Sequence, residues 1–171
     1  TPCDGSAPSG VGGVSEPARQ DALLAVPAPA ERRVDADGVA DPVARVLIDT
    51  PVPHLDRLFD YLVPPRLDAA AGIGTRVTVR FGGKNVRGWI WERGATTTHP
   101  GRLAPLGRVV SDLPVLTPAT MGLVGAVAAR AAGTRADVMR LAVPARHAAA
   151  ERAERDAPAP PLPVWRPPDV D

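Results

Sequence analysis

Few residues in this 171-residue chain have the chemistry to engage a ligand. The most informative run is Phe59-Asp60-Tyr61. Successive side chains of a strand point to opposite faces, so Phe59 and Tyr61 share one face and Asp60 takes the other. Two readings follow. In one, the aromatics pack into a core and Asp60 is solvated. In the other, the run binds a base: a carboxylate accepts hydrogen bonds from exocyclic amino groups, and aromatic rings stack on a base face. Gly82-Gly83-Lys84 is the second candidate. It reads either as a flexible hairpin tip or as a place where backbone approaches a sugar or phosphate, with Lys84 as a point charge. Arg76, Arg80 and Arg87 lie on the same hairpin and extend it toward a phosphate-tracking surface. His54 reads as a loop residue.

Other chemistries lack their residues. There is no phosphate loop, no glycine-rich dinucleotide fingerprint, no His-Glu-x-x-His and no Gly-x-Ser-x-Gly. One cysteine, Cys3, with the scattered His54, His99 and His147, builds neither an internal disulfide nor a four-ligand zinc site. No catalytic residue, metal or cofactor is therefore assigned within the chain. No apolar run reaches the roughly 18 residues of a membrane helix, and the start lacks the layout of a signal peptide. A membrane role is not expected, and the cysteine usage suits a reducing cytoplasm.

The elements that must position these residues begin at Val43. Residues 43–49, 58–63, 75–81, 86–92 and 106–111 read as strands. The alternation over 75–81 is the cleanest, with Val77, Val79 and Phe81 on one face and Arg76, Thr78 and Arg80 on the other. Trp89 and Trp91 share a face that is read as core, because only 4% of residues are aromatic and large rings are needed inside. Thr117 and Pro118 open a helix that runs to Ala132, with Gly133 at its left-handed end. Thr134-x-x-Asp137 opens a second, which stops before Pro144. The reading is α+β: a small, twisted, barrel-like antiparallel sheet followed by two short helices. Residues 1–42 read as a disordered tail with a short apolar island at 21–26. The domain spans 43–147. Residues 148–156 form a helical linker, and the proline-rich 157–171 an extended one. A chain that opens on Thr1 and closes on a linker reads as a piece of a longer protein.

Charge admits two readings: a polyanion partner, or the arginine-rich surface common in proteins of high-GC genomes. Residues 43–147 carry 14 Lys and Arg against 7 Asp and Glu, a surplus of +7. The flanks carry 6 against 12, so the overall +1 hides a basic middle between acidic ends. Lys84 is the only lysine, as in proteins of high-GC genomes.

Four ordered blocks then resemble one family. Val46-Leu47-Ile48-Asp49-x-Pro51-Val52-Pro53-His54-Leu55-Asp56-Arg57-Leu58-Phe59-Asp60-Tyr61-Leu62-Val63-Pro64 is similar to the opening of the primosomal protein N-prime (PriA) family. Gly74-x-Arg76-Val77-x-Val79-x-Phe81-Gly82 follows, then Val109 to Thr117, then Gly133 to Pro144. The resemblance implies a 3′-DNA-binding domain of a replication-restart protein. Such a domain recognises the 3′-hydroxyl end of the nascent leading strand at a stalled, branched fork. It further implies a monomeric, cytoplasmic, nucleoid-associated parent with a winged helix and ATP-dependent 3′–5′ helicase lobes. That parent uses zinc and ATP, has primosome proteins and single-strand binding protein as partners, and in some high-GC members lacks the ATPase activity. In the family the terminal nucleotide sits among the Phe-Asp-Tyr run, the glycine after the Val-x-Phe strand and a later lysine. Phe59, Asp60, Tyr61 and Gly82 match. The lysine position falls on Ala104, which leaves Arg102 or Lys84 to supply the charge. The competing reading is a β-barrel interaction domain that binds nucleic acid without preference for ends.

Overall fold

The computed structural model describes residues 29–156, and from Glu31 onward these belong to one compact unit. The apolar island at 21–26 and the proline-rich 157–171 lie outside the described residues. Seven strands run in the order β1 (Arg32–Arg33), β2 (Val43–Ile48), β3 (Leu58–Leu62), β4 (Arg76–Phe81), β5 (Lys84–Gly94), β6 (Thr96–Thr97) and β7 (Arg108–Ser111). Three helices follow: α1 (Pro118–Arg130), α2 (Arg135–Ala142) and α3 (Ala148–Asp156). The fold is thus α+β, with all strand pairs antiparallel.

The main sheet has the order β3-β2-β5-β4-β7. It is also fastened across its open side. Leu62 N–H donates to Ala104 C=O at 2.9 Å, and Leu106 N–H donates back to Leu62 C=O at 2.7 Å. The segment that pairs with β4 as β7 therefore touches β3 at its start, and the sheet curls into a barrel. Ala44, Val46, Ile48, Tyr61, Val77, Val79, Ile90 and Leu106 fill the interior. Leu47, Trp89, Leu116, Met121, Val124 and Met139 form a second cluster, which joins the outer face of β2 and β5 to α1 and α2. The two clusters explain why β2 is apolar on both faces. Trp91 packs against the second cluster, so the shared face of Trp89 and Trp91 meets the helices.

Two local devices set the geometry. Gly88 lies where a Cβ would come 2.6 Å from Leu47 O and 2.8 Å from Val46 Cγ1, so only glycine lets β5 close on β2 there. Between Arg45 and Val46 the β2–β5 register shifts, leaving Trp91 without an opposing residue and setting Glu92 across from Arg45.

Both helix starts form as the sequence suggests. The Thr117 hydroxyl accepts from Thr120 N–H at 3.2 Å, and the Thr134 hydroxyl accepts from Asp137 N–H at 3.1 Å. The end of α1 differs. Its left-handed residue is Ala132, at φ 50°, one position before the expected Gly133. Gly133 N–H donates to Ala128 C=O at 3.0 Å, the six-to-one bond of a helix terminus. The segment expected to be disordered also differs over its last part. Arg32 and Arg33 pair with Thr97 and Thr96, and Val39 is buried. An isolated two-residue strand has no periodicity of its own; it exists because β6 offers it a partner.

Candidate nucleic-acid end site

The site forms where β3 becomes a partly open edge. Since Leu62 turns its N–H and C=O toward residues 104 and 106, strand alternation turns those of Asp60 the same way. No cross-strand partner meets Asp60 there among the described residues, because the facing segment has swung away. The result is a concave site of about 210 Å³ lined by Phe59, Asp60, Tyr61, Arg80, His99, Arg102, Leu103 and Ala104.

The carboxylate of Asp60 is held separately. Its side chain is 15% exposed. Thr97, wholly buried, donates its hydroxyl to Asp60 Oδ2, and accepts from His99 N–H at 3.0 Å. Arg45 Nε lies 3.9 Å from Asp60 Oδ1, and Arg45 Nη1 lies 2.7 Å from Glu92 Oε2. Arg45 is thus shared by two carboxylates on neighbouring strands, a pairing made possible by the register shift. The Glu92 hydrogen bond raises the Arg45 pKa above its ordinary value, with burial opposing and Glu92 and Asp60 adding attraction.

The aromatic neighbours face inward. Tyr61 is buried and donates its hydroxyl to Arg80 C=O at 3.2 Å. Burial pushes its phenol pKa up, which keeps the proton needed for that bond. Phe59 makes an edge contact with Phe81, ring centres 4.8 Å apart, while the Arg57 guanidinium lies 4.8 Å over its face. Phe59 and Tyr61 therefore shape the wall and tie β3 to β4, and the open backbone of Asp60 is the surface they present.

Gly82 and Lys84 sit at the β4–β5 hairpin tip, beyond the residues that line the site. Gly82 and Gly83 adopt φ of 54° and 78°, a two-residue turn that side chains resist. Of the two candidates for the missing charge, Arg102 lines the site and Lys84 does not.

Several participants escaped the sequence reading. The loop 98–102 is built by Thr97, by Gly101 N–H donating to His99 Nδ1 at 3.1 Å, and by Arg32, whose guanidinium donates to the His99 and Gly101 carbonyls. The β-branched run Thr96-Thr97-Thr98 was the available signal for β6. Nothing local to Arg32 announces a contact with residues more than sixty positions away. Asp56 fixes the other end of β3 by accepting from Arg135 N–H at 3.1 Å and pairing with the Arg135 side chain at 3.4 Å.

A curled β-sheet with an open edge, an anchored carboxylate and flanking arginines defines the class: a binding domain built on a barrel. Comparison with known proteins makes it specific. The family described as PriA 3′ DNA-binding domain (3′BD) matches residues 45–144, more than half of the chain. The chain belongs to that family. Among similar proteins, the probable replication restart protein PriA of Mycobacterium tuberculosis is 57% identical over 111 residues, 65% of this chain and 17% of its own length. The protein of the same name from Mycobacterium leprae is 55% identical over 113 residues, 66% of this chain and 17% of its own length. The chain thus spans about a sixth of the length of these relatives.

Proposed function

We propose that this chain is the DNA-end reader of a replication-restart protein and seats the 3′-hydroxyl terminus of the nascent strand at a branched fork. The family description and the relatives' names support a DNA-binding module of replication restart. The single observation that carries the finer reading is the open N–H and C=O of Asp60 beside its carboxylate, facing a recess lined by Arg80 and Arg102. A terminal base laid against this edge meets a donor and an acceptor in fixed positions. Arg80 and Arg102 offset the charge of the last phosphodiester. A 3′-hydroxyl donates to an acceptor of Asp60. A 3′-phosphate adds bulk and places like charge against the carboxylate.

In the same reading the parent is a cytoplasmic protein acting on the nucleoid, and its helicase activity, zinc, ATP and primosome partners belong to other domains. Among the described residues no group of three or more His, Cys, Asp and Glu is placed to hold a metal ion, and no helix is long and apolar enough to cross a membrane.

Fluorescence anisotropy on forks ending in 3′-hydroxyl, in 3′-phosphate or without a nascent strand tests the assignment. The expected result is binding about tenfold tighter to the 3′-hydroxyl fork, about 1.4 kcal/mol. Equal affinity for all three would leave only end-independent binding.

A further inference from the structure

The outer face of β4, β5 and β7 carries a second feature. Thr78 is opposite Arg87 on β5 and opposite Arg108 on β7. Directly opposed residues share a face, with Cα atoms about 4.5–5.5 Å apart. Arg76 and Arg80 stand two residues to either side of Thr78 on β4, each about 6.6 Å away. Four guanidinium groups therefore form a cross centred on a threonine. Among the described residues, Arg80, Arg87 and Arg108 form no ion pair. Five other arginines, Arg45, Arg93, Arg135, Arg140 and Arg146, are each engaged by a carboxylate within 4.0 Å, whereas Arg57, Arg66, Arg102 and Arg130 also lack such a partner among the described residues but stand apart from one another in the sequence and the sheet.

The crowding shows in Arg76. Burial lowers its pKa from the ordinary value; Glu151 opposes this, while Arg146 and Arg87 push the same way as burial. Arg76 spends one guanidinium nitrogen on Pro144 C=O at 2.6 Å, so its position is fixed. Arg76 and Arg87 also line a second recess of about 410 Å³ with Arg140, Pro144 and Arg146. At the other end of the cross, Arg80 lines the end site.

We infer that this arginine cross is a track for the phosphodiester backbone of the same strand whose 3′ end occupies the site at Asp60. From Arg80 to Arg76 the face runs four residues, about 13 Å. Measured along a duplex axis, that span corresponds to about four rises of 3.4 Å each. Guanidinium forks match phosphate oxygens bidentately, and the Thr78 hydroxyl between them is an uncharged donor. The inference rests on the end-reading proposal for the identity of the strand, but not for the existence of the track.

The test uses the full chain with Arg87→Ala and Arg108→Ala together, two residues that do not line the end site. Anisotropy is measured on fork DNA across a salt series and on a 3′-hydroxyl dinucleotide. The track predicts that the slope of log affinity against log salt falls by about two. The preference for 3′-hydroxyl over 3′-phosphate and the dinucleotide affinity stay unchanged. An unaltered salt slope would overturn the track. A reduced slope with no end preference even in the unmodified chain would keep the track and remove the end reader. An acidic peptide displaced by the same variants, with DNA binding intact, would assign the cross to a protein partner and overturn it as well.

Discussion

The two faces that meet along β4 use charge in opposite ways. At the β3 edge the carboxylate is committed: Asp60 to Thr97 and Arg45, and Arg45 in turn to Glu92. On the β4–β5–β7 face Arg80, Arg87 and Arg108 have no carboxylate partner among the described residues. A committed network resists rearrangement and holds donors and acceptors in place, which suits recognition of one end against another. Free guanidinium groups attract any polyanion and gain by releasing its counterions, which suits affinity without sequence information. This contrast underlies the proposed division of labour, in which the edge discriminates and the basic face binds.

Substitutions on the two faces should separate these roles. The largest effect is expected at Asp60. Asp60→Asn retains the shape but weakens the bond from Thr97 and the pairing with Arg45, so the 3′-hydroxyl preference should fall about tenfold. The salt slope should not change, because no cation is removed. If affinity instead rises equally for all DNA ends, the edge is acting as a simple negative charge.

A smaller effect is expected at Thr97. Thr97→Val keeps the volume and removes the hydroxyl that links Asp60 to the His99 loop. Denaturant unfolding should show a loss of about 1–2 kcal/mol, the usual consequence of stranding a buried acceptor, together with a partial loss of end preference. Full preference in a destabilised variant would place the loop outside recognition.

The smallest effect is expected at Tyr61. Its folded-state pKa is raised by burial, so the folded form retains a proton that the unfolded chain releases near its ordinary value of about 10.0. The associated stability is present below that pH and is lost as pH climbs from there through the folded-state pKa. Tyr61→Phe should flatten this alkaline decline and cost about 1 kcal/mol at neutral pH through the lost bond to Arg80. Tyr61 is the only tyrosine, so tyrosinate absorbance follows it directly. Titration at the ordinary phenol pH in the folded chain would contradict its burial.

Much of this architecture was legible from residue order. The alternation of Arg76 to Phe81 placed the basic face outward, and the paired glycines marked the hairpin, because both signals are local. The opposition of Asp60 to its aromatic neighbours followed from strand geometry alone. What stayed hidden depends on contacts distant in sequence. The register shift opposite Trp91 decides that Glu92 meets Arg45, and no propensity encodes it. β1 consists of two arginines that are extended only because β6 pairs with them. Ala132 occupies a left-handed position next to a glycine that was available for it, because α1 ends at Arg130, two residues earlier than its pattern suggests.

In the proposed reading, discrimination and most of the affinity reside on different surfaces. The direct measurement is the ratio of affinities for 3′-hydroxyl and 3′-phosphate forks at increasing salt. Affinity for both should fall steeply while their ratio changes less, because Arg76, Arg87 and Arg108 meet both DNAs alike and only Arg80 and Arg102 stand at the end site. A ratio that decays to one in step with affinity would mean that a single electrostatic surface does both.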